Sequence, residues 1–137
     1  MVFLVSFTVQ SQEEKLILSF ISLCKDEKVK IPVIKDKFIC NIKSSVETNV
    51  TLDEYIEQCI SLIRKEIKDK DLSKLEIVGA VNDKEVQKEF AETDFSKIFV
   101  LKEKKKILRY FLVENHKIKA FTVLNKSGFK TFLILCN

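Results

Sequence analysis

The chain has 137 residues, 46% hydrophobic and 32% charged, with eleven Phe but only two Gly and one Pro. It is long enough to bury a sizeable core, too apolar for intrinsic disorder and without a Pro/Gly/Ser-rich linker, so one domain over residues 1–137 is expected. The net charge of +4 hides an asymmetry: Lys97–Asn137 carries ten basic residues against two acidic ones, a net +8, while Met1–Ser96 stands at −4.

The first apolar run, Val2–Val9, reads as a strand. It has neither a basic leader nor a small-residue cleavage site, and Glu13 and Glu14 follow closely. A signal peptide and a membrane span are therefore not expected, and a cytoplasmic protein with no membrane partner is. Ser11 with Glu14, three positions on, has the form of a capping box. It opens a helix over Gln12–Lys25, with Leu16, Ile17, Phe20, Ile21, Leu23 and Cys24 on its apolar face. Ile31–Ile34 and Phe38–Ile42 read as a hairpin across Lys35-Asp36-Lys37, with Pro32 pushing the outer strand to a sheet edge. Thr51 with Glu54 repeats the capping signature, and Leu52, Tyr55, Ile56, Cys59, Ile60, Ile63 and Ile67 form the stripe of an amphipathic helix. Leu75–Val81 reads as another strand. Asn82 with Glu85 then opens a shorter helix over Asp83–Thr93 that buries Val86, Phe90 and Ala91.

The last third changes character. Lys97–Leu101, Ile107–Val113, Ile118–Leu124 and Phe129–Cys136 are β-branched or aromatic runs separated by polar turns, the pattern of a four-strand antiparallel meander. Ile107–Val113 is apolar on both faces apart from Arg109, which places it centrally. Gly128 falls where a hairpin loop needs positive φ. The repeated strand-then-helix order favours parallel pairing through crossovers. The expected fold is α/β or α+β: three strand–helix units on a mixed sheet that ends in the meander.

Most catalytic chemistries lack their parts. Cys24, Cys40, Cys59 and Cys136 contain no C-x-x-C pair and sit in apolar runs, which reads as buried free thiols in a reducing cytosol. No glycine-rich loop, Walker motif or dinucleotide signature is present, so no nucleotide cofactor is expected, and no metal. The sole histidine, His116, lies in the turn-like Glu114-Asn115-His116-Lys117. Asp94 with Glu103 and Lys105 resembles the metal site of some nucleases, but Glu13 with Lys15 and Glu66 with Lys68 match the same short pattern. Ser11, Asn82 and Asp83, beyond expected strand ends, offer hydrogen bonds to a small polar ligand, although capping already accounts for them.

The remaining signal is the basic C-terminal third. Successive hairpins reverse direction, so Lys104, Lys105 and Lys106 are expected at the same sheet end as Lys126. Lys117 and Lys119 share a strand face with Phe121, beside Arg109 and Tyr110, a mixture of charge and rings suited to single-stranded nucleic acid. The leading expectation is a non-enzymatic binding or regulatory protein whose basic sheet engages nucleic acid or an acidic protein. The second is a structural subunit or homodimer joined through the apolar Phe129–Cys136 strand. The third is a metal-dependent nuclease.

Overall fold

The computed structural model describes residues 11–40, 49–91 and 94–136, so the run Val2–Val9 lies outside the described residues. Its frame is an antiparallel sheet of four strands in the order β1-β2-β3-β4, formed by Leu75–Gly79, Ile98–Glu103, Lys106–Glu114 and Lys117–Ala120. Helices α1 (Gln12–Lys25), α2 (Ile31–Phe38) and α3 (Asn49–Ile67) supply the core on one face. The short α4 (Lys84–Glu89) and a hairpin of β5 (Val123–Lys126) and β6 (Phe129–Phe132) cover the other. The fold is therefore α+β.

Helix α1 forms where its spacing places it. Ser11 accepts a hydrogen bond from the Glu14 N–H at 3.1 Å, and Ile17, Phe20, Ile21 and Cys24 are buried. Phe20 meets Phe38 and Phe111 edge to face, with ring centroids 5.6 and 6.0 Å apart. In α3, Ile56, Ile60, Ile63 and Ile67 are buried as the stripe requires, but the helix begins at Asn49, so Thr51 lies within it rather than capping it.

The two helices cap each other. Arg64 of α3 donates from Nε to the Cys24 carbonyl at 2.6 Å, and from its terminal nitrogen to Val29 at 2.6 Å and Asp26 at 3.0 Å. In return Lys25, at the end of α1, donates to the carbonyls of Ile67, Lys68 and Lys70. Cations thus meet the unpaired carbonyls and the negative dipole end of both helices.

Three expectations are corrected. Residues 31–38 form a helix, not a hairpin: Ile31, Ile34 and Phe38 share one helical face, and Pro32 sits in the first turn, where no backbone bond is lost. Among the described residues the four strands of the sheet are all antiparallel rather than mixed, because β1 pairs directly with β2, Leu75 opposite Glu103 and Gly79 opposite Phe99. A parallel crossover must return along the strand, whereas the six residues of α4 span only about 9 Å. Its N-cap is Asp83, one residue beyond Asn82, accepting from the N–H groups of Glu85 and Val86.

The meander is also broken. The expected strand Ile118–Leu124 divides into β4 and β5, because Phe121 packs into the helix-side core and Val123 on the opposite side. Accordingly β6 pairs with β5, and Phe132 stacks on Phe90 at 5.3 Å. Beyond it, Leu133 and Leu135 donate to Thr122 and Lys119, so the chain returns along β4. Strand β3 lies between β2 and β4 with both faces covered, as its sequence anticipates.

Cys24 and Cys59 are buried and free, but Cys40 and Cys136 form a disulfide with Cα atoms 6.1 Å apart. Their separation of 96 residues concealed that both reach the outer edge of β4.

Candidate anion-binding site at the β2–β3 turn

Glu103 and Lys106 are opposite each other in the β2–β3 ladder, which leaves Lys104 and Lys105 as a two-residue turn. Lys104 has φ of 57°, a left-handed conformation that glycine adopts freely and lysine only at a cost of about 1 kcal/mol. A tight helical turn at Leu72–Lys74 precedes β1 and brings Lys74 beside this hairpin. Lys74, Glu103, Lys104, Lys105 and Lys106 line an open depression of about 540 Å³.

Its electrostatics are one-sided. The Glu103 carboxylate accepts from Lys70 at 2.9 Å, and this ammonium holds the carboxyl below its ordinary range, so it stays charged and paired. Among the described residues no carboxylate lies within ion-pair distance of Lys74, Lys104, Lys105 or Lys106. Four ammonium groups around a solvent-filled hollow repel one another, and a multivalent anion relieves that repulsion.

The strand residues named with them are otherwise employed. Arg109 binds Glu66 of α3 at 2.7 Å, and its Nε is buried without a partner. Lys117 donates to the Lys37 carbonyl at 2.7 Å, near the end of α2. Lys119 shares Glu114 with Lys97, at 3.4 and 3.5 Å. Phe121 is buried, and the Tyr110 hydroxyl donates to Glu89 at 2.6 Å, so neither ring offers a stacking surface. Burial and the neighbouring Glu89 together push the Tyr110 hydroxyl above its ordinary range. Lys126 is exposed in the β5–β6 hairpin, on the side of the sheet opposite α1–α3. Lys70 and Lys74 were missed by sequence reasoning; the run Lys68-Asp69-Lys70-Asp71 held a signal, but only folding brings it to the turn.

The nuclease set is not assembled. Asp94 accepts from the backbone and hydroxyl of Ser96 at the start of β2, and Glu103 ends that strand, about 17 Å away along β2. Among the described residues no cluster of His, Cys, Asp and Glu could hold a metal ion, and none of the buried residues is polar or charged. His116 is exposed in the β3–β4 turn, bordering a hollow of about 330 Å³ with Glu13, Ser96 and Glu114. Ser11 and Asp83 are occupied as helix caps. No helix among the described residues is long and apolar enough to cross a membrane. No protein-family model, no curated protein and no solved structure matches the chain.

Proposed function

We propose that this single-domain chain is a cytoplasmic, non-enzymatic binding or regulatory protein that engages a polyanion through Lys74, Lys104, Lys105 and Lys106. The observation that carries the reading is the cluster of four lysines around the β2–β3 depression, none of them in an ion pair among the described residues. Lysine meets phosphate as a point charge, without the fixed fork that arginine presents to a planar group. With no exposed ring beside the cluster, the contact is with a charged backbone rather than stacked bases, and the phosphates of nucleic acid are the favoured partner over an acidic protein.

Neutralising four duplex phosphates predicts a slope of about −3.6 in log K against log salt, a loss of roughly 150-fold between 50 and 200 mM. Fluorescence anisotropy with labelled duplex DNA tests this. The triple variant K104A/K105A/K106A should reduce the slope to about −0.9. Binding of polyglutamate but not DNA would assign an acidic protein partner; no binding of either at 20 mM salt would refute the reading.

A second reading rests on the exposed Leu124, Phe129, Leu133 and Ile134, an apolar surface on the hairpin and the segment that follows it. It makes the chain a subunit or homodimer. Sedimentation would then give a multiple of 15.9 kDa that salt barely changes.

A further inference from the structure

Two segments distant in sequence close the outer edge of β4. Ile39 forms an isolated parallel bridge with Ile118, and the Cys40 N–H donates to the Ile118 carbonyl at 3.1 Å. Alongside, the N–H groups of Leu133 and Leu135 donate to Thr122 and Lys119 at 2.9 and 3.0 Å. The Cys40–Cys136 disulfide fastens these segments to each other. Among the described residues, what else holds Leu133–Cys136 is two backbone bonds to β4 and the burial of Leu135 and Cys136, while Leu133 and Ile134 are exposed.

The other two thiols, Cys24 and Cys59, are buried, and burial pushes the Cys24 thiol up to about 12. Both thiols are packed in the helix-side core, and the Cys24 thiol is held protonated as well, so the exchange considered is with a thiol from outside the chain. Cys40 is half-buried and Cys136 fully so, which makes Cys40 the more accessible half of the bond.

We propose that Cys40–Cys136 is a redox clasp, opened by an external dithiol reductant, whose opening releases Leu133–Cys136 from the edge of β4. One thiolate of the reductant attacks the Cys40 sulfur, forming a mixed disulfide and expelling the Cys136 thiolate, which takes up a proton. The second thiol of the reductant then loses its proton and displaces the Cys40 thiolate, which is protonated in turn. The reductant leaves as its own disulfide, two electrons having passed to the chain. Release leaves the carbonyls of Lys119 and Thr122 without their strand partners and uncovers Leu135, an open strand edge of the kind that accepts an added strand. A disulfide in the cytosol is typically transient and redox-sensing, which fits such a switch. The inference does not depend on the lysine site and stands or falls separately from it.

The test is hydrogen exchange on the full chain, with dithiothreitol as the reductant, alongside a thiol count after denaturation. The count should be two before reduction and four after. The Leu133 and Leu135 amides should exchange at least about tenfold faster in the reduced chain, with α1 and α3 unchanged. Cys40→Ser should reproduce the reduced pattern; if it does not fold, reduction of the native chain supplies the readout. Four thiols before reduction, unchanged exchange at Leu133 and Leu135, or a loss of protection throughout the molecule would each overturn the proposal.

Discussion

Replacing Arg64 by Met keeps most of the aliphatic stem and removes the charged head that closes α1. Three short bonds disappear, to Cys24 at 2.6 Å, Val29 at 2.6 Å and Asp26 at 3.0 Å, together with a longer one to Leu23 at 3.4 Å. Hydrogen bonds from a charged donor contribute about 1.5–3 kcal/mol each in favourable settings. Water can replace the bond to the exposed Asp26 carbonyl at little cost, so two bonds decide the outcome. The expected loss is about 3 kcal/mol, including the interaction of the cation with the helix dipole. With a urea m-value of about 2 kcal/mol/M, the unfolding midpoint should fall by about 1.5 M at unchanged m. Arg64→Lys should recover less than half, because Cys24 and Val29 are reached from two different nitrogens of the planar guanidinium, Nε and a terminal one, and a lysine placed there has a single nitrogen. A midpoint shift below about 0.3 M for the Met variant, or full recovery by lysine, would refute the argument that this guanidinium joins the two helices.

Lys104→Gly should separate folding from binding: it relieves the left-handed strain and stabilises the chain by about 0.5–1 kcal/mol, while weakening DNA binding and reducing its salt slope by about 0.9. Thermal unfolding and anisotropy on one preparation check both signs. At Asp83, the Lys102 ammonium 2.5 Å away is the chief cause that holds the carboxyl below its ordinary range, with the N–H groups of α4 assisting. The native state therefore favours the charged form. That contribution is complete above about pH 4, the unfolded value, and is lost as pH falls through the lower native one. Asp83→Asn should cost about 1–2 kcal/mol at pH 7 in urea titrations, with the gap to the parent chain narrowing as pH falls through the lowered native value. Phe20→Ala, in a wholly buried ring contacting Phe38, Phe111 and Phe121, should cost about 3–5 kcal/mol, read as a loss of urea midpoint.

Periodicity located α1, α3 and the strands β2 and β3 because each carries enough repeats for one spacing to prevail. It failed at residues 31–38, where eight residues hold only two turns. Ile31, Val33 and Ile34 have strand composition, and the helical spacing to Phe38 competes with it on nearly equal terms. Proline was the deciding residue there, since a first helical turn welcomes it as readily as a sheet edge does. Pairing direction was harder still, because strand-then-helix order does not say whether the helix crosses the sheet. The length of α4 says so, and that length was overestimated by about five residues, Asp83–Thr93 against Lys84–Glu89.

The charge asymmetry was legible, but what it means depends on contacts between residues far apart in sequence. Arg109 is met by Glu66 and Lys102 by Asp83, so part of the basic last third is balanced by acidic groups of the preceding segments. Lys117 is taken up at the end of α2 instead. The opposite pairing, Lys70 with Glu103, removes an acid from the basic hairpin and concentrates its charge. Two of the charges behind the +8, Lys102 and Arg109, are thus one half of an internal complementarity between the sheet and the preceding segments. The tip of the β2–β3 turn takes no part in that exchange: Lys104 and Lys105 are exposed, and among the described residues no carboxylate pairs with them. Lys74 and Lys106 lie beside them, and Lys104 is exposed in a backbone conformation that costs stability, which is why the proposed polyanion contact is assigned to this turn.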